Sequence, residues 1–343
     1  MQIDLNGSRL WFDVDGLALV PQGRQMRKRP TVVMVHGGPG VYDHSYFKPF
    51  FAPLTRWAQV VYLDLRGHGR STWGHASAWT LEACADDLRA FCDAVGIDRP
   101  IVFGHSMGGP IVLLYGARHP GHASGLIVQS GFARWDPPRL VEGFRRVAGD
   151  KVAKLAERSY RGDEVTDEES ALVFAAFGTH VPGEEREERT PKNLELNVHG
   201  MELIRQLDIL DQLSRVTSPT LVSVGELDPV TPVEAAEEIV DALPDGLGRL
   251  EVIPGAGHFT WLDAPEPFGS AITDFIDGLT GGRRGGSTPS PRPSDARPST
   301  AARVSRSPSL DHRSGRGALG AGPTGWVHRL RRGSPTGDRD PSE

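Results

Sequence analysis

The stretch Pro100-Ile-Val-Phe-Gly104-His-Ser106-Met-Gly108-Gly-Pro-Ile-Val-Leu-Leu-Tyr115 decides how the rest of the chain is read. A short apolar run ends at Phe103, and Ile111, Leu114 and Tyr115 then fit a helical stretch. Between them lies Gly104-His105-Ser106-Met107-Gly108, a GxSxG string. As a bare string it carries little weight in a chain with 41 Gly among 343 residues. A strand before it and a helix after it make it a sharp turn that presents the Ser106 hydroxyl at the edge of a sheet. Gly104 and Gly108, having no Cβ, let the backbone turn that tightly. A purely structural turn is the alternative, and a nucleophilic Ser106 requires a base and a group that orients the base.

Working outward, further buried strands are expected at Thr31–Val35, Gln59–Leu63, Gly125–Gln129, Pro219–Val224 and Arg249–Ile253, alternating with amphipathic helical stretches. That alternation predicts an α/β fold with a mostly parallel central sheet covered on both faces. Ile3–Leu5 and Leu10–Val14 flank Asn6-Gly7 and predict a hairpin. From about Phe132 to Leu213 the β signal disappears. Charged helical segments replace it, among them Thr166-Asp-Glu-Glu169, a capping box opening an apolar stretch through Leu172, Phe174 and Phe177. This predicts a helical cap inserted after the strand through Val128 and lying over one end of the sheet.

The other chemical residues also sit where strands end, the usual place for sites in open α/β sheets. Asp228 follows the strand to Val224, in Gly225-Glu-Leu-Asp228-Pro-Val-Thr-Pro232, and His258 follows the strand to Ile253, in Pro254-Gly-Ala-Gly-His258. Asp228 could instead cap the helix starting near Pro232, but Thr231 fits that N-cap role. Glu226 is the rival acid. After the strand to Val35 comes His36-Gly37-Gly38-Pro39-Gly40, small residues where backbone N–H groups can approach a developing oxyanion; Gly38 and Met107 are the expected donors. His36 is read as a residue that braces its loop. His105, Phe259 and Asn197 are read as lining the pocket.

His36-Gly-Gly-Pro-Gly40, Asp64-Leu-Arg-Gly-His-Gly-Arg-Ser71, Gly104-His-Ser-Met-Gly-Gly109, Gly225-Glu-Leu-Asp228 and Gly257-His258 together resemble the α/β-hydrolase superfamily over essentially residues 1–280. The chain order Ser106, Asp228, His258 is the one that superfamily uses for its triad. The HGGPG string is similar to the proline-iminopeptidase-like branch. The resemblance implies a serine hydrolase that works through an acyl-enzyme on a small molecule or short peptide, with no cofactor or metal, and a structural role for Asp64 and Arg66–Ser71. Members of that branch hold a free α-amino group with acidic residues, one commonly following the triad aspartate and one in the cap. Pro229 stands at the first position here and, by counting back from Asp208, Asn197 at the second. Glu195 or Glu202 could replace the missing charge. The reading is therefore an ester, amide or lactone hydrolase, with aminopeptidase chemistry as the alternative and a non-catalytic binding protein as the remote one. Ser106 in place of a carboxylate nucleophile excludes epoxide and haloalkane chemistry.

Domain organisation follows: core 1–131, helical cap 132–213, core 214–280 and tail 281–343. The tail holds 8 Pro, 11 Gly, 10 Ser and 12 Arg, too little apolar surface to offset the entropy of ordering, and is expected to be disordered. With 5 acidic residues its charge is +7, which leaves −13 on the body and disfavours nucleic acid as a partner. Gly315-Arg-Gly317-Ala-Leu-Gly320 spells GxGxxG but follows no strand. No apolar run reaches the roughly 18 residues of a membrane helix, and the start lacks a secretion signal, so a cytoplasmic protein without membrane contact is expected. Cys84 and Cys92 lie about 12 Å apart on one helix, beyond disulfide reach, and no Cys/His cluster suggests a metal.

Overall fold

The computed structural model describes residues 1–178 and 191–281. Strands β1 (Gln2–Leu5) and β2 (Ser8–Asp15) form the expected hairpin. Asn6 and Gly7 both take positive φ, 49° and 73°, the twist that a two-residue hairpin turn requires. A second, exposed hairpin follows, β3 (Leu19–Gln22) and β4 (Gln25–Lys28), with no apolar face to mark it in the sequence. The chain continues through β5 (Thr31–Val35), the single turn α1 (Lys48–Phe51), β6 (Gln59–Leu63), α2 (Leu81–Val95), β7 (Ile101–His105), α3 (Gly108–Arg118) and β8 (Gly125–Gln129). After three helices among the described residues between β8 and β9, it returns to the sheet at β9 (Thr220–Gly225), then α7 (Val233–Ala242), β10 (Gly248–Ile253), the single turn α8 (Thr260–Asp263) and α9 (Pro265–Leu279).

The main sheet has eight strands in the order β1-β2-β6-β5-β7-β8-β9-β10, antiparallel at β1/β2 and β2/β6 and parallel at every other pairing. From β5 the chain passes to β6 on one side and to β7 on the other. The loops after β5 and β7 therefore diverge from neighbouring strand ends, where a crevice opens. Val35 pairs with Gly104, so the HGGPG loop begins beside the turn that carries Ser106. Three expected strands shift by one residue at their starts, β7 and β9 later and β10 earlier, and β7 runs on through His105, which pairs with Gln129. The ladder thus holds the residue immediately before Ser106.

Alternate residues of the strands face opposite layers, as the pleat dictates. Val33, Val35, Val61 and Val102 pack with Leu88 and Phe91 of α2, Ile111 of α3 and Ile239 of α7. Val32, Met34, Tyr62 and Ile101 pack on the other face with Phe47, Phe51 and Phe103, and with Phe268, Ile272 and Ile276 of α9. Cys84 and Cys92 are free thiols on the buried side of α2, and burial pushes both up to about 12, which keeps them protonated and inert.

Between β8 and β9 lie α4 (Pro137–Arg161), α5 (Asp167–Ala175), α6 (Leu194–Arg205) and the 3₁₀ segment Leu210–Arg215. Gly149 (φ 81°, ψ 175°) breaks α4 into two helical parts. Thr166 and Glu169 form the expected capping box at the start of α5, and Phe177 beyond it is buried. Among the described residues no helix is long and apolar enough to cross a membrane. The tail assigned to 281–343 and its GxGxxG string lie, apart from Gly281, outside the described residues.

Candidate active site

Ser106 stands at φ 53° on the turn from β7 into α3. Its backbone N–H donates to Gln129 O (3.0 Å) and its carbonyl accepts from Gly109 N–H (2.8 Å), so hydrogen bonds from both sides hold the strained residue. The glycines around it do not take positive φ. Their purpose is close approach: a Cβ on Gly104 would lie 2.2 Å from Gly108 O, and one on Gly108 would lie 2.5 Å from Val35 O. The absence of a Cβ at these glycines is thus what lets the turn close so tightly, as expected, while the unusual φ belongs to Ser106. Gly37 is small for the same reason, because a Cβ there would meet Ser106 Cβ at 3.1 Å.

The structure brings His258 and Asp228 together from two adjacent strand ends. His258 Nδ1 donates to Asp228 Oδ2 at 2.9 Å, both side chains being buried. Donation from Nδ1 leaves Nε2 as the acceptor nitrogen. Asp228 Oδ1 also accepts from the N–H groups of Val230 (2.9 Å) and Thr231 (3.0 Å), and Oδ2 from the Thr231 hydroxyl (2.8 Å). Thr231 is therefore a brace for Asp228. The helix N-cap expected of it falls to Pro232, which makes no side-chain cap. Glu226 points elsewhere, accepting from Gly255 N–H at 2.9 Å. The His258 backbone N–H donates to Phe177 O (2.5 Å), which ties its loop to the end of α5.

Ser106 and His258 line one cavity of about 330 Å³ with Gly38, Met107, His105, Phe259 and Asn197, so every site residue expected from the sequence except buried Asp228 faces it. Among the described residues no hydrogen bond joins Ser106 Oγ to His258. Around the turn, Gly37 N–H donates to Tyr46 Oη, Gly40 N–H to His68 Nε2 and Ser106 N–H to Gln129 O. The N–H groups of Gly38 and Met107 have no acceptor among the described residues. Two unengaged amides beside a serine hydroxyl can stabilise negative charge.

Two of the expected lining residues also brace the loops around the cavity. His105 touches the cavity but is almost fully buried, and its Nε2 donates to His258 O at 3.0 Å while its Nδ1 accepts from Tyr46 Oη at 2.9 Å. Tyr46 in turn accepts from Gly37 N–H at 2.8 Å. A single chain of hydrogen bonds thus runs from the HGGPG loop through Tyr46 and His105 to the backbone of His258. Nothing local in the sequence marks Tyr46, which lies 59 positions before its partner. Asn197 commits its amide Nδ2 to Pro39 O at 2.9 Å, and Asn193 N–H donates to Gly40 O at 2.8 Å, so α6 clamps the HGGPG loop. Gly40 (φ 69°) has to be glycine here, because a Cβ would lie 2.3 Å from Asn193 O.

His36 braces its loop as expected, accepting from Leu65 N–H at 3.1 Å. The Asp64–Ser71 loop is a scaffold: Arg66 makes a paired, buried contact with Asp87, and Asp64 accepts from His44 N–H, His44 Nδ1 and Arg70 N–H. Asp43, His44 and Asp64 place ligand-type atoms within 4.8 Å of one another. Those of His44 and Asp64 are already spent on that bracing, and Asp43 Oδ1 accepts from Ser45 N–H at 2.8 Å.

A sheet of this order, with chemistry confined to loops after β5, β7, β9 and β10, defines the class. The family model for the alpha/beta hydrolase fold matches residues 30–265, and the chain belongs to that family. It is similar to a putative carbamate hydrolase RutD of Caulobacter sp. (strain K31), 27% identical over 277 residues that cover 77% of this chain and 97% of that protein. A proline iminopeptidase of Saccharolobus solfataricus is 27% identical over 269 residues, 72% of this chain and 84% of that protein. The crystal structure of proline iminopeptidase from Mycobacterium smegmatis shares the fold with a TM-score of 0.67 at 24% identity, covering 81% of this chain and 98% of that one.

Proposed function

We propose that this chain is a serine hydrolase that cleaves a small ester, amide or lactone through an acyl-enzyme, with core 1–131 and 214–280 and the helical cap 132–213 closing the site. The observation that carries the reading is Ser106, held at φ 53° in a cavity it shares with an Asp228-oriented His258. His258 Nε2 takes the proton as Ser106 Oγ bonds to the substrate carbonyl carbon, and the oxyanion receives the N–H groups of Gly38 and Met107. His258 returns the proton to the leaving group as its bond to carbon breaks. A water, deprotonated by His258 in turn, releases the acid and restores Ser106.

Release of an N-terminal residue from a short peptide is the second reading, favoured by the HGGPG loop and the iminopeptidase relatives. Among the described residues that line the cavity, Glu202 is the one carboxylate, and it is exposed. Glu195 is exposed and off the cavity wall. Ester or amide hydrolysis, which needs no ammonium anchor, fits this lining better.

A fluorophosphonate probe tests the proposal. It is expected to label the wild type and not Ser106→Ala, with turnover falling by about 10⁴- to 10⁶-fold in the variant. Labelling at another serine overturns it.

A further inference from the structure

The inference concerns the substrate class and rests on the hydrolase reading above. Helix α6 clamps the HGGPG loop near its N-terminus and then runs along the cavity wall, contributing Asn197, Val198, Met201, Glu202 and Arg205. Eight residues separate Asn197, which touches Pro39, from Arg205, about 12 Å along the helix axis. Arg205 therefore joins the wall at a distance from the oxyanion loop, beside Tyr160, Arg161 and Gly162 at the end of α4.

Arg205 has one structural task. Its Nε donates to Tyr160 O at 2.8 Å, a cation at the carboxyl end of α4, where the helix dipole favours it. A guanidinium carries five N–H donors in a rigid fork, and this bond uses one. Among the described residues the other four have no acceptor. The surrounding arginines differ: Arg134, Arg139, Arg145, Arg146, Arg158 and Arg161 each pair with a carboxylate. Arg205 is half-buried, pinned through Nε and fixed in a cavity that holds the candidate nucleophile. A guanidinium so placed is pre-organised for a planar anion.

We propose that Arg205 receives a carboxylate at the far end of the substrate, so that the preferred substrates are acyl compounds carrying a second, acidic group several carbons from the scissile carbonyl. Glu202 is the nearest carboxylate on the same helix, but it is exposed and makes no ion pair with Arg205.

The test compares p-nitrophenyl monoesters of linear diacids, from glutarate to suberate, with p-nitrophenyl esters of the monoacids of equal length. In the wild type the acidic ester is expected to win in kcat/KM by about 10- to 100-fold at its best length. High salt should narrow that margin. Arg205→Gln is expected to abolish it while leaving the neutral ester within about twofold, and Arg205→Lys to retain part of it. No preference at any length overturns the proposal, as does an equal loss on both esters in Arg205→Gln, which is the signature of a capping role alone. A binding arm separates this from failure of the hydrolase reading. Monomethyl esters of the same diacids should raise the Tm of Ser106→Ala and not that of Ser106→Ala/Arg205→Gln. Equal shifts overturn the carboxylate site whatever the turnover shows.

Discussion

Tyr46 brings one hydroxyl to two elements, accepting from Gly37 N–H and donating to His105 Nδ1, and burial holds its phenol protonated. Removing that oxygen strands a buried donor and a buried acceptor, each worth about 1–3 kcal/mol. Tyr46→Phe is expected to lower unfolding free energy by about 2–4 kcal/mol and kcat by about tenfold, with KM for a short ester little changed. In a double-mutant cycle with His105→Gln the losses should be less than additive, because both variants break one chain. Strict additivity would show that the two residues act separately. The residues of this site divide by legibility. Ser106, Asp228 and His258 sit in glycine-marked loops after strands, where the backbone's needs leave a local trace. Tyr46 and Thr231 contribute hydroxyls from positions without any such trace, and Thr231 even carried a misleading one, since a threonine before a helix reads as an N-cap.

At the scale of elements, the segment after α5 and helix α6 brace the loops that carry the candidate site. Phe177 O holds the backbone of His258, while Asn193 and Asn197 hold Gly40 and Pro39. Strands such as Val32–Val35 and Ile101–Phe103 were legible because sheets buried on both faces demand continuous apolar runs. The β3–β4 hairpin, without a buried face, gave no such pattern. The clamp by α6 was hidden for another reason: 158 residues separate Asn197 from Pro39, and a side chain read only as a missing charge turned out to be a spent hydrogen-bond donor. Asn197→Asp separates the two roles. An amine-recognition position would gain prolyl-naphthylamide turnover from the added carboxylate. A clamp instead sets two acceptors against each other, and kcat should fall about 10- to 100-fold on esters and naphthylamides alike. Assaying both substrates at one pH near 8 decides it; a rise in the naphthylamide-to-ester ratio contradicts the clamp.

For the molecule as a whole, three buried histidines tie the packing of these loops to pH. Burial lowers His36, lowers His68 to about 3, and lowers His105 well below the ordinary histidine range. Hydrogen bonding agrees, because each ring uses one nitrogen as an acceptor: His36 Nε2 from Leu65 N–H, His68 Nε2 from Gly40 N–H and His105 Nδ1 from Tyr46 Oη. A second proton would face a donor in every case. Once unfolded, the same rings bind protons below about pH 6.5. The unfolded chain therefore holds more protons than the folded one as pH falls below that value, and stability declines with pH, for His68 until about pH 3. Each ring that stays neutral contributes up to about 1.4 kcal/mol per pH unit. His68 and His105 between pH 6.5 and 5 remove about 4 kcal/mol, with His36 acting in the same direction, a large share of the 5–15 kcal/mol typical of a folded protein, before most carboxylates begin to titrate. Urea unfolding at pH 7.5, 6.5, 5.5 and 5.0 is expected to show a falling midpoint at constant slope. His68→Gln should start from a lower stability yet lose about 1.4 kcal/mol less per pH unit through that window. A midpoint that stays level from pH 7 to 5 would mean that these rings take up protons without disturbing the loops they brace.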